Sequence, residues 1–91
     1  MFEWDRNNLR KIRAHGIRPE EVEESLANDP LLIYEQQVEG EIRFLYYSET
    51  GAGRLIAAVV TERKNKLRVV TAYDLDPGQK RDYFAHRAAG G

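Results

Sequence analysis

A chain of 91 residues can bury one hydrophobic core but not two, and 42% hydrophobic with 32% charged residues is globular rather than disordered composition. The absence of cysteine excludes a disulfide framework and a thiolate metal site, and two histidines 71 positions apart make a poor zinc site. The net charge of -1 divides into +2 over residues 1–16, -7 over 17–53 and +4 over 54–91, which suits a protein that meets a polyanion on one side and a different partner on another, although solvated surface charge would give the same pattern.

In chain order, Phe2 and Trp4 alternate with Glu3 as a short strand-like lead-in, and both aromatics are expected to anchor the core. Asp5 is a good N-cap for a helix over 6–14, with Leu9 and Ile12 as its apolar stripe. Arg6, Arg10 and Arg13 recur at i, i+4, i+7 and share another face. Gly16 can take the left-handed position that ends the helix. Pro19 fits the first turn of a second helix, Glu20 and Glu21 sit at its positive end, and Val22 and Leu26 point inward. Asn28-Asp29-Pro30 stops it.

Four strands follow: Leu31 to Gln36, Glu41 to Ser48, Leu55 to Glu62 and Leu67 to Tyr73. The turns between them, Glu39-Gly40, Glu49 to Gly53 and Lys64 to Lys66, are short enough to require an antiparallel meander. The apolar run Ile56 to Val60 marks the central strand. Asp76-Pro77-Gly78-Gln79 has the capping-box spacing that starts a last helix, to which Tyr83 and Phe84 bring bulk. Ala88 to Gly91 is expected to fray. The whole chain, 1–91, reads as one α+β domain: two N-terminal helices, a four-stranded antiparallel sheet and a C-terminal helix. No run approaches the roughly 20 apolar residues of a membrane span. Without a basic-then-apolar leader pattern, a cytoplasmic protein is expected.

An ordered set of short motifs then stands out. Phe2-Glu3-Trp4-Asp5, His15-Gly16 and the acidic segment before Asp29-Pro30 open it. Gly40-Glu41-x-Arg43-Phe44, Gly53-Arg54-Leu55, Val60-Thr61-Glu62-Arg63 and Leu67-Arg68-Val69-Val70-Thr71-Ala72 continue it. In this order and spacing the chain resembles the BrnT family of toxins, from Phe2 to about Tyr83. The resemblance implies a RelE-like fold and a metal-independent endoribonuclease, without cofactor, that inhibits translation. It also implies a ribbon-helix-helix antitoxin as partner, with operator DNA reached only through that antitoxin. One departure is visible. Family members usually carry a basic residue after a Ser-Ala pair, and here Thr71-Ala72 is followed by Tyr73-Asp74. That departure supports an alternative reading, a catalytically degenerate binding module retained in a regulatory complex.

Metal-free RNA cleavage needs a base for the 2′-OH, cations for the phosphorane and an acid for the leaving oxygen. Arginine suits the second task, because its planar fork matches two phosphate oxygens and keeps its charge. Arg63 and Arg68 flank one hairpin and are the expected phosphate clamp, although exposed arginines also guard strand edges. Glu62 is a poor base, since alternation turns it to the opposite face from Arg63. Tyr83 and His15 complete the catalytic candidates; a packed aromatic and a helix-end imidazole are their structural alternatives. For RNA binding the candidates are the Arg6, Arg10, Arg13 stripe and Tyr73, the latter by base stacking.

Overall fold

The computed structural model describes residues 1–90, and Gly91 lies outside the described residues. The elements run β1 (Phe2–Glu3), α1 (Arg6–Ala14), α2 (Pro19–Leu26), β2 (Leu31–Val38), β3 (Glu41–Glu49), β4 (Leu55–Arg63), β5 (Lys66–Asp74) and α3 (Pro77–Gly90). The strands form one sheet in the order β1-β5-β4-β3-β2. β2 to β5 are the expected antiparallel meander. The lead-in adds a fifth strand, because Phe2 and Glu3 pair parallel with Leu67 and Arg68 at the β5 edge. The sheet is therefore mixed rather than purely antiparallel. Helix α3 continues through Ala88 and Ala89 to Gly90.

Local chemistry explains the punctuation. Asp5 caps α1 by accepting the Asn8 N–H at 2.7 Å. Two-residue loops join β2 to β3 and β4 to β5, and all four loop residues have positive φ: Glu39 50°, Gly40 79°, Lys64 51° and Asn65 65°. Such loops match the right-handed twist of hairpin strands.

The sheet carries apolar side chains on both faces. On one, α1, α2 and the link between them lay Ile12, Val22 and Ile17 over Ile56, Ala58, Val60, Val69 and Ala72, all essentially inaccessible to water. Each such isoleucine or valine contributes about 1.5–3 kcal/mol by leaving water. Phe2 and Trp4 pack against this core as expected, and the Trp4 indole donates to Glu23 Oε2 at 2.8 Å, tying the N-terminus to α2. On the other face a second cluster gathers Leu45, Tyr47, Leu55, Ala57, Leu75 and Tyr83. Tyr83 is the single side chain that α3 buries. The last helix thus covers only one end of this face.

Candidate functional site

The remainder of that second face carries the site. Strand pairing places Arg43 of β3 opposite Thr61 of β4, and Thr61 opposite Arg68 of β5. The three form a row across the sheet. A bulge in β5 makes the row possible. Val59 pairs with Thr71 and Val60 with Val69, so Val70 is the extra residue. Without it, alternation would turn Arg68 toward the α1–α2 core. Asn8, buried at the start of α1, holds the bulge by donating its amide to the Val70 carbonyl at 3.1 Å.

Around this row lies a cleft of about 340 Å³. α1 supplies Asn7, Asn8 and Lys11, and the β2–β3 turn supplies Val38, Glu39 and Glu41. The arginines are prepositioned. Arg43 Nε donates to Glu41 Oε2 at 3.0 Å. Arg68 Nη2 donates to Asp5 Oδ2 at 2.7 Å. The Asn8 N–H, with Arg68 beside it, holds the Asp5 carboxyl below its usual range. Glu39 lines the cleft with no ion-pair partner among the described residues.

The other candidates are distributed differently. Arg63 is exposed and lines an adjoining depression with Gly40, Ile42 and Glu62, which meets the cleft at Glu41 and Thr61; Arg63 is not among the residues that line the cleft around Arg68. Arg43 occupies the place expected of Arg63. Its signal was present in the Gly40-Glu41-x-Arg43 motif, but only the pairing of β3 to β4 brings it beside Arg68. Lys11 and Glu39 left no comparable mark. Arg6, Arg10 and Arg13 stay on the outer face of α1 around Leu9, with no carboxylate partner among the described residues.

His15 and Tyr73 do come together, their ring centroids 6.2 Å apart. They meet near the other end of β5, five residues and roughly 15 Å along the strand from Arg68. Tyr83 is 4% exposed; its hydroxyl lies 3.4 Å from Glu49 Oε1, and the Arg87 guanidinium stacks 5.0 Å from its ring centroid. Its place is the second core rather than the cleft.

Asp74, the carboxylate beside the position where the resemblance implies a cation, is held by Arg54. The two side chains make a two-pronged pair, Nε to Oδ1 at 2.8 Å and Nη2 to Oδ2 at 3.1 Å. This bond and the nearby charge hold the Asp74 carboxyl low. Arg54 also reaches Glu21 at 3.2 Å and the carbonyls of Gly16 and His15 at 3.0 and 3.3 Å. It is a junction between the end of α1, the start of α2 and the end of β5.

A family model for the BrnT ribonuclease toxin of type II toxin–antitoxin systems matches residues 4–78. The chain belongs to the BrnT family. No curated protein matches it. The family is one of ribonuclease toxins, so its substrate is RNA, and a type II toxin is paired with an antitoxin. The matched span contains all of the cleft and the Arg54 junction, and it ends at the start of α3. Among the described residues of this BrnT-family chain, no helix is long and apolar enough to cross a membrane.

Proposed function

We propose that this toxin cleaves RNA in the cleft between Arg43 and Arg68, by a metal-independent transesterification that inhibits translation in the cytoplasm. The observation that carries the reading is the row Arg43–Thr61–Arg68, two guanidinium groups on one face with Lys11 at the rim. Each arginine keeps N–H donors in hand after its own carboxylate is satisfied. Those donors suit a phosphodiester whose charge grows in the transition state.

The Glu39 carboxylate takes the proton of a ribose 2′-OH. The 2′-oxygen attacks phosphorus and the bond from phosphorus to the 5′-oxygen breaks. Lys11 gives that oxygen a proton, leaving a cyclic phosphate and a 5′-hydroxyl. Glu41 acts as a positioning residue by holding Arg43.

The departure at Tyr73-Asp74 favoured the degenerate-module reading. That pair lies at the far end of β5 from Arg68, and Asp74 is engaged by Arg54. This location weighs toward the enzyme. His15, Tyr73 and Tyr83 are then assigned to structure, and Arg6, Arg10 and Arg13 to RNA backbone binding. The antitoxin is proposed to be a ribbon-helix-helix protein, its operator contacts made by the antitoxin alone.

The test is purified protein with end-labelled RNA in EDTA, alongside induced expression with primer extension on cellular RNA. Discrete cuts by the wild type, lost in both Arg43→Ala and Arg68→Ala proteins that melt normally, support the reading. Undiminished cutting by either variant overturns it.

A further inference from the structure

Beside the cationic cleft, on the same open face, lies a second hollow of about 190 Å³. Its walls include Tyr34, Gln36, Val38, Leu45, Val59 and Thr71. It is continuous with the cleft, since Val38, Arg43 and Val70 border both. Tyr34 is 51% exposed although it stands in a strand among apolar neighbours. Gln36 pairs directly with Arg43, and Tyr34 with Leu45. Tyr34 therefore sits two residues, about 7 Å, along β2 from the level of Arg43. The hollow corresponds to roughly six water molecules at about 30 Å³ each, room for one planar ring and little more.

We propose that this hollow receives a single unpaired nucleobase next to the phosphate held at Arg43 and Arg68, with Tyr34 as its stacking surface and Gln36 reading its edge. The inference rests on the ribonuclease reading above and adds a source of cleavage preference. The physical fit has three parts. An aromatic face stacks on any base, and unpaired bases are the usual targets of such stacking. The Gln36 amide offers both a donor and an acceptor, which can tell one base edge from another. The cations next door attract the backbone that carries the base, and the apolar floor offers nothing to a free anion.

The test uses fluorescence anisotropy with 2′-O-methyl hexanucleotides of A, C and U, which contain no nucleophile and so cannot be cut. Tyr34→Ala is expected to weaken binding about 10-fold, while Tyr34→Phe stays within about twofold of the wild type. Gln36→Ala is expected to bring the three sequences within about twofold of one another. Tyr34 is half exposed, so all three variants should melt as the wild type does. If Tyr34→Ala binds every oligomer as the wild type does while Arg68→Ala loses binding, the base site is overturned and the cationic cleft stands. If neither variant changes binding, both are overturned.

Discussion

Arg68 faces Thr61 across the β4–β5 pairing only because Val70 is bulged out between them and the rest of the strand. A regular strand would have sent the Arg68 guanidinium toward Ile12 and Val22, where its charge would be buried unpaired at a cost of several kcal/mol. The bulge turns that liability into a cleft with two arginines on one row. Edge bulges that re-aim a side chain recur beside functional sites.

The row makes a sharp distinction among arginines. Arg43→Ala and Arg68→Ala should each reduce the cleavage rate by about 10²–10³-fold, the usual effect of deleting one charge-stabilising donor. Arg63→Ala should leave it within about threefold. Initial rates on a labelled RNA check this, and equal losses in all three would restore Arg63 to the site.

The α1 stripe should act through salt. Each phosphate neutralised on a single strand contributes about -0.7 to the slope of log affinity against log salt. Replacing Arg6, Arg10 and Arg13 together with glutamine should flatten that slope by about 2. A slope that stays the same would show the stripe to be solvated surface.

Arg54 should matter for stability. Arg54→Ala removes a donor from Asp74, from two carbonyls and from Glu21, which keeps only Arg18, and the expected loss is about 2 kcal/mol in urea unfolding. Arg54→Lys should recover only part of it, because one ammonium cannot span both Asp74 and Glu21. Full recovery would mean that charge alone, and not the fork, joins the three elements.

Acid should loosen the same contacts. Asp5 and Asp74 are held below the ordinary 3.8, and Glu21 below 4.5, by backbone N–H groups and arginines. Their folded pKa values are depressed, so the unfolded chain binds more protons in that range. Their stabilisation is complete above about pH 5 and is lost as pH falls through about 4 and below. The thermal midpoint should be flat from pH 7 to 5 and then drop, and a drop already evident between 7 and 6 would point to another group.

Tyr83 separates packing from chemistry. Tyr83→Ala should cost about 3–5 kcal/mol, as for other buried aromatics, and release α3, which has no other buried side chain. Tyr83→Phe removes only the 3.4 Å contact to Glu49 and should retain both stability and cleavage. A Phe variant that folds but does not cut would return the phenol to the catalytic machinery.

The sequence by itself determined most of the frame, because its signals are local. Asp5, Gly16, Pro19, the Glu39-Gly40 and Lys64-Asn65 turns and the Asp76-Pro77 cap act within a few residues, and the helices and the β2–β5 meander fall where they indicate. The two-residue β1 was too short to count as a strand until β5 offered it an edge. The order of motifs also indicated the family. What only the tertiary structure decided is which charges meet. Arg63 and Arg68, five positions apart, line adjoining hollows, whereas Arg43 and Arg68, 25 positions apart, share one. Strand alternation sets which face a side chain takes, and one inserted residue reverses it. Neither the bulge at Val70 nor the Asn8 amide that supports it leaves a local mark that a reader of the chain could recognise.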